Sequence, residues 1–299
     1  MITRFDHAVI AVRDLAAATQ TYQTLGFTVS PGGKHTGRGT ENAIIRFGLD
    51  YLELLAIADE QEARAQGLNR AALADFLREH DGGLVGYALA AQNIAEDAER
   101  LRAFGLAVDG PFEMSRERPD GTTLAWHLAV PEGIPWRRPW PFLIEWQTPD
   151  VARLAVERPG KQANGVTGVW GVSVVVRDLE AGIALYRDGL GLHLRERKSI
   201  PDRGAERARF TVGSRETVID VLAPGGEGEV AQALATGGEG LYTLVLATPK
   251  LSASQQYLAA AGIASSAIPG RTDELVVAPR STLGARIVLR EATVTHSAP

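Results

Sequence analysis

The chain repeats itself, and the repeat limits what it can fold into more than any other feature. His7-Ala-Val-Ile-Ala-Val-Arg13-Asp14-Leu15 returns as Gly171-Val-Ser-Val-Val-Val-Arg177-Asp178-Leu179, and Tyr51-Leu-Glu53-Leu-Leu55-Ala56 returns as Val218-Ile-Asp220-Val-Leu222-Ala223. Both copies keep the same apolar frame. At strand positions where the first copy has His7 and Glu53, the second has Gly171 and Asp220. That asymmetry implies one working half and one supporting half.

A chain of 299 residues is long enough for two domains with sizeable cores. Its formal charge of -5 offers no basic stripe for nucleic acid, which is not expected as a partner. The absence of cysteine excludes disulfides, thiolate nucleophiles and cysteine-based zinc or iron-sulfur sites. The N-terminal residues lack the pattern of a signal peptide and no apolar run is long enough to span a bilayer, so a cytoplasmic enzyme or binding protein with no membrane partner is expected.

Periodicity gives the same unit four times. Residues 7–12 read as a buried strand and Leu15 to Leu25 as a helix closed by Gly26. Phe27 to Ser30 reads as a short strand and Pro31-Gly-Gly33 as the start of a glycine-rich loop. Asn42 to Phe47 and Tyr51 to Ile57 form a hairpin. After a polar helix-like stretch from Glu62 to Glu79, the second unit runs through strand Leu84 to Ala90, helix Ile94 to Phe104, strand Leu106 to Val108, and strands Thr122 to Val130 and Phe142 to Trp146. The connection over 131–141 is too proline-rich for a strand and carries Trp136 and Trp140. Residues 151–165 read as a linker.

The pattern then restarts. Strand Gly171 to Val176, helix Leu179 to Asp188 and the hairpin Arg207 to Val212 with Thr217 to Leu222 form the third unit. Segments Leu241 to Ala247, Ala253 to Ala261, Glu274 to Ala278 and Ala285 to Leu289 form the fourth. The expected fold class is α+β: four βαβββ modules in two domains, residues 1–150 and 166–299, rather than a solenoid. Pairing of modules within a half or across halves stays open.

The module order, the opening Phe5-Asp6-His7 strand and the strand Tyr51-Leu-Glu53-Leu-Leu55 resemble the vicinal oxygen chelate superfamily, which includes glyoxalases, extradiol dioxygenases and bleomycin-resistance proteins. Three further segments are similar to a glyoxalase-like subfamily within it: Gly32-Gly-Lys-His35-Thr-Gly37-Arg-Gly39-Thr40-Glu-Asn42, Ser115-Arg116-Glu-Arg118-Pro119-Asp120-Gly121, and Phe142-Leu-Ile-Glu145-Trp146. The resemblance is strong over about the first 150 residues and extends to the second half only as module pattern. It implies two glyoxalase-like domains, each curled around a cavity. It also implies a divalent metal held by His7, Glu53 and Glu145. The fourth ligand position falls at Gly86, which cannot ligate, so a water, the substrate or a displaced side chain such as His127 would complete the shell.

The residues themselves give partial support. Period-2 alternation puts Tyr51, Glu53 and Leu55 on one strand face, where a carboxylate is costly unless paired, protonated or metal-bound. Glu145, between Ile144 and Trp146, is placed similarly, and an ordinary hydrogen-bonded or salt-bridged carboxylate remains the alternative for both. One imidazole and two carboxylates suit Mn, Fe(II), Zn, Co or Ni without selecting among them. His35 lies in a glycine-rich loop that does not match a phosphate-binding P-loop. The subfamily resemblance implies that His35, Thr40 and Asn42 line the cavity entrance, with His35 as acid, base or donor. Arg116 and Arg118 share one face if extended, either on a solvated loop or aimed at a substrate carboxylate or phosphate. Trp126 is a candidate wall residue.

The implied function is a metal-dependent lyase, isomerase or oxygenase acting on a small oxygen-rich substrate in the first half, with Glu145 as base by analogy with glyoxalase chemistry. The alternative is a metal-free small-molecule binding or sequestering protein of the bleomycin-resistance type. An extradiol dioxygenase fits less well, because its second histidine would need His127 to point inward. The second half, with Gly171 and Val288 at ligand positions, is expected to supply core and interface, and His193 and His296 receive no role. A homodimer is compatible with this pattern.

Overall fold

The computed structural model describes residues 1–65, 68–132, 138–268 and 270–292; Trp136 and His296 lie outside them. The first half runs β1 (Ile2–Val12), α1 (Leu15–Thr24), β2 (Ser30–His35), β3 (Thr40–Arg46), β4 (Tyr51–Ile57), α2 (Glu60–Ala65), α3 (Leu68–Glu79), β5 (Gly82–Ala91), α4 (Ile94–Phe104), β6 (Val108–Glu117), β7 (Thr123–Pro131), β8 (Phe142–Trp146) and α5 (Asp150–Val156). The second half runs β9 (Gly168–Val175), α6 (Leu179–Ala184), β10 (His193–Ile200), β11 (Ala205–Val212), β12 (Thr217–Pro224), α7 (Glu229–Gly237), β13 (Gly240–Thr248), α8 (Leu251–Ala260), β14 (Ser265–Ile268), β15 (Arg271–Val277) and β16 (Ile287–Glu291). The strand-helix-strand-strand-strand module thus occurs four times. Asp14, Asn93 and Asp178 cap the helices after the first strands of the first three modules, each accepting a backbone N–H of the first turn.

Modules pair within each half. The first sheet closes into a barrel in the order β1-β4-β3-β2-β6-β7-β8-β5, whereas the second is an open sheet of eight strands in the order β10-β11-β12-β9-β13-β16-β15-β14. Closure depends on a short ladder between β2 and β6, with Lys34 opposite Glu117 and His35 opposite Arg116. In the second half β10 and β14 end the sheet as edges. Charged residues along β10, His193–Ile200, keep that edge from recruiting another strand.

Pro31-Gly-Gly33, expected to open a loop, lies inside β2 instead. The reason is steric. A Cβ on Gly32 would stand 1.9 Å from Asn42 Oδ1, and one on Gly33 would stand 2.0 Å from the Glu117 carbonyl oxygen, at a φ of +140°. The two glycines let β2 slip between β3 and β6.

Alternate residues of each strand divide between two environments. Ala8, Ile10 and Val12 of β1 and Val172 and Val174 of β9 face the helices and join one apolar cluster shared by both halves. The contacts that lock the halves together are specific. The hydroxyls of Tyr87 and Tyr186 meet, Tyr22 donates to the Thr282 carbonyl at 3.1 Å, and Asp50 accepts from the Val169 amide at 3.0 Å. Val9, Ala11, Leu55, Ala88, Trp126 and Ile144 instead pack inside the first barrel.

Gly33→Ala is expected to destabilise the chain by about 1–3 kcal/mol through overpacking, on top of the conformational cost that Gly37→Ala also carries, and to expose the His35 amide to hydrogen exchange. Gly37→Ala, where a new methyl meets nothing within 4 Å, should show only the conformational cost, roughly 1–2 kcal/mol. Equal effects in urea unfolding would mean that the β2–β6 approach is not under steric control.

Candidate functional site

The inner face of the first barrel carries a cavity of about 60 Å³, lined by His7, His35, Tyr51, Glu53, Arg116 and a wall of apolar side chains that includes Met114, Trp126, Phe142, Ile144 and Trp146. Strand register brings the polar groups together. Parallel pairing of β1 and β4 sets His7 beside Tyr51 and Val9 beside Glu53, while β2 and β3 deliver His35, Thr40 and Asn42 from the closing side. Phe142, Ile144 and Trp146 of β8 and Trp126 and Leu128 of β7 complete the wall.

Glu53 is the centre of the polar cluster. It accepts from the Asn42 side-chain amide at 2.5 Å, and its two oxygens stand 3.6 Å from His7 Nε2 and 3.7 Å from His35 Nε2. His35 Nδ1 shares a hydrogen bond of 2.9 Å with Thr40 Oγ1. His7 Nδ1 is bound at 2.8 Å to Asp6 Oδ1. Burial alone would raise the Asp6 carboxyl, but Arg4 at 2.6 Å, the His7 hydrogen bond and Arg153 outweigh burial and hold it well below the usual carboxylate range. Asp6 is therefore ionised, His7 donates its Nδ1–H to it, and His7 Nε2 faces the cavity. Tyr51 stacks on the His7 ring with centroids 4.5 Å apart, and burial first, then Asp6 and Glu53, drive its phenol well above the ordinary range. Tyr51 stays neutral.

A second carboxylate stands behind the cavity wall. Glu157, just beyond α5, receives Arg46, Arg116 and Arg118, the last at 3.1 Å. Arg116 also donates to Asn42 Oδ1 at 3.2 Å, so a continuous chain of charged and polar groups runs from Glu157 through Arg116 and Asn42 to Glu53. Burial opposes ionisation of Glu157, yet Arg116 and Arg46 prevail and keep its pKa low. Arg153 of α5 is wholly buried with its guanidinium carbon 3.5 Å from the centre of the Trp146 ring; burial, partly offset by Asp6, pushes it down to about 10.

The expected residues divide accordingly. His7, His35, Thr40, Asn42, Glu53, Arg116 and Trp126 gather at or beside the cavity. Glu145 does not: Ile144 and Trp146 take the inner face of β8, and Glu145 lies on the outer face, accepting from the Ile94 amide at the start of α4 at 3.3 Å. His127 pairs across the strands with Glu145 on that same outer face and meets Gln147 at 3.0 Å, so it supplies no inward imidazole. Arg118 shares a face with Arg116 but binds Glu157 and the Pro31 carbonyl rather than the cavity. Asp6, Tyr51, Arg46, Arg153 and Glu157 were not singled out from the sequence. Only Asp6 and Tyr51 carried a local signal, as neighbours of His7 and Glu53 on paired strands.

The expected divalent metal requires three donors in one place. With Glu145 on the outer face, the implied set of His7, Glu53 and Glu145 is not assembled, and Asn42 already occupies one Glu53 oxygen.

Residues 5–176 match the family model of the glyoxalase-like domain. The chain belongs to that family. Residues 170–276 match the glyoxalase/bleomycin resistance protein/dioxygenase superfamily, so both halves carry the vicinal oxygen chelate fold that the sequence resembled. The structure is similar along nearly its full length to a hypothetical protein from Staphylococcus aureus (14% identity, 96% of this chain and 98% of that one, TM-score 0.68). It is also similar to a mutant of 4-hydroxymandelate synthase from Streptomyces coelicolor (14% identity, 98% and 94%, TM-score 0.63). Identities this low show the fold alone. Methylmalonyl-CoA epimerase from Mycobacterium tuberculosis aligns over 48% of this chain and 96% of that one at 26% identity and a TM-score of 0.41. No curated protein matches the chain.

The two low-pKa carboxylates fix an acid response. Asp6 and Glu157 bind protons less readily in the folded than in the unfolded chain. The stability they contribute is complete above the ordinary carboxylate range, about pH 4, and is lost as pH falls toward their folded values. Glu157→Gln should cost about 3–5 kcal/mol near neutral pH, because three guanidiniums lose their buried counter-charge. It should also flatten the decline of stability between roughly pH 5 and pH 3. An acid limb as steep as the parent's, in denaturant titrations at several pH values, would show that protonation of Glu157 is not what acid breaks.

Proposed function

We propose that the chain is a small-molecule enzyme of the vicinal oxygen chelate type whose first-half cavity moves a proton at a compact, oxygen-bearing substrate. The observation that carries this reading is the convergence of two imidazole Nε2 atoms on the Glu53 carboxylate inside a cavity walled mainly by apolar side chains. Such a cluster costs stability, and groups of this kind gather where chemistry needs them.

Glu53 is the base in this reading and takes the place that sequence resemblance gave to Glu145. His35, with Nδ1 accepting from the Thr40 hydroxyl, donates its Nε2–H to a substrate oxygen. His7, whose Nδ1–H is held by Asp6, presents Nε2 to the same place and donates there only as the imidazolium, its ring fixed by Asp6. Thr40 and Asn42 orient His35 and Glu53, and Trp126, Phe142 and Ile144 exclude water and face the apolar part of the substrate. Arg116, already bound to Glu157 and Asn42, holds Asn42 in place rather than taking the substrate.

A metal-dependent lyase, isomerase or oxygenase is the second reading. The Asp6–His7 hydrogen bond favours it, since a metal-ligating histidine usually donates its other N–H to such a carboxylate. A ligand set of His7, Glu53 and His35 would use Glu53 Oε2, which Asn42 does not hold. Elemental analysis of untagged protein, before and after incubation with Mn, Fe(II), Co, Ni and Zn, decides between the two readings.

The primary test is deuterium uptake from heavy water into a panel of small hydroxy-ketones and keto acids, followed by proton NMR. Glu53→Gln is expected to slow exchange about 10²–10⁴-fold while the unfolding midpoint is retained. Exchange that survives Glu53→Gln would remove Glu53 as the base. Saturable binding of the same compounds without any exchange would instead support a sequestering protein of the bleomycin-resistance type.

A further inference from the structure

The inner face of the second sheet holds a cleft of about 350 Å³, within the size range of small-molecule sites. It occupies the place in the second half that the His7/Glu53 cavity occupies in the first, but its chemistry is different. We propose that this cleft binds a small organic polyanion, a compact molecule carrying carboxylate or phosphate groups.

Strand alternation puts the charges there. Arg207 and Arg209 of β11 and Arg286 and Arg290 around β16 point inward, while Ala208, Phe210, Ile287 and Leu289 between them face the shared core. With Arg203, Arg271 and Lys198 they outnumber the five lining carboxylates by two positive charges. Because β10 and β14 do not meet, the cleft opens to solvent between them, with Lys198 and Ile268 on its two lips.

The guanidiniums are held in place before any ligand arrives. Arg209 makes two bonds of 2.8 Å to Asp220, and Arg290 is fixed by Glu274 and Asp273, each at 2.9 Å. The Trp170 ring supports both, with its centre 5.3 Å from the Arg209 guanidinium carbon and 4.2 Å from that of Arg290. Each guanidinium has five N–H donors, so these pairings leave donors over. Arg207 Nε, Arg286 Nε and the buried Thr243 hydroxyl have no hydrogen-bond partner in the protein. Unpartnered buried donors are costly, so these groups mark a polar interior that packing within the protein does not account for.

A purely supporting half would not need this interior. Its apolar cluster is only Val175, Ala205, Leu222 and Val230 with a few partly buried neighbours, whereas the first barrel packs its inner face with large apolar groups. Replacing inward ion pairs by packed hydrophobic side chains is often neutral or stabilising. Keeping a basic, open cleft therefore points to a ligand.

The test is calorimetric titration of the full chain with inorganic pyrophosphate and with citrate, read in parallel by tryptophan fluorescence. One saturable site is expected, with a fluorescence change that Trp170→Phe abolishes while the binding heat remains. Arg207→Gln and Arg286→Gln, each verified to keep its unfolding transition, should weaken binding at least tenfold. Glu53→Gln, in the other cavity, and Arg187→Gln, an exposed arginine paired only with Asp188, should leave it unchanged. Absence of saturable binding for both probes, equal weakening by Arg187→Gln, or full affinity in both cleft variants would overturn the proposal. Loss of binding in Glu53→Gln would also overturn it, by placing the anion in the first barrel.

Discussion

Closure of the first sheet, through two residue pairs between β2 and β6, is the constraint on which the rest of the structure depends. The pairing of His35 with Arg116 seals the barrel and sets an imidazole and a guanidinium on the same closing edge. It is possible because two consecutive glycines carry β2 past Asn42 on one side and Glu117 on the other. Once the wall is shut, Glu53 and the two imidazoles are removed from bulk water and can act on one another at short range. The second sheet lacks this closing ladder, and the cleft left inside it is several times larger and lined by charge.

Removing charges from water is expensive, so the first barrel pairs them in depth. Glu157 reaches Glu53 only through Arg116 and Asn42, and Asp6 stands directly behind His7. Buried ion pairs of this kind rarely add net stability compared with apolar packing. Their effect is positional: each fixes the rotamer of a neighbour closer to the cavity. The strap from α5 to Gly165 belongs to this arrangement, because it delivers Glu157 to the three arginines and Arg153 to the face of Trp146.

The module count, the hairpins and the inward position of His7 and Glu53 were legible because strand periodicity is a local property and the repeat shows it twice. The same periodicity explains the error at Glu145. A strand has only two faces, and a displacement of one residue exchanges them. Aligning Glu145 with Glu53 by resemblance put it inside, but Phe142, Ile144 and Trp146 are the larger apolar set and take the interior, turning Glu145 and its cross-strand neighbour His127 outward. Arg116 and Arg118 were legible as a same-face pair, while their acceptor was not, since Glu157 lies 41 residues beyond Arg116 in a segment that read only as a linker. The glycine run read as a loop because a strand squeezed between two others leaves no periodic trace when its side chains are missing.

The two halves can differ so widely in chemistry because only one face of each sheet is tied to the common core. Ile10 and Val174, Leu54 and Val221, Tyr87 and Leu244 all contribute to one continuous apolar layer between the sheets. Substitutions on those faces disturb both halves together. The opposite faces answer to nothing but their own cavity, so Glu53 and Asp220, or Asn42 and Arg207, can diverge without changing the packing that sets the fold. The first half confines its polar groups behind a closed wall, where few water molecules compete with a substrate. The second leaves its wall open, where arginine, the cation least weakened by hydration, is the side chain suited to hold an anion. A shared outer layer with independent inner faces thus gives this chain two cavities of opposite character on one architecture.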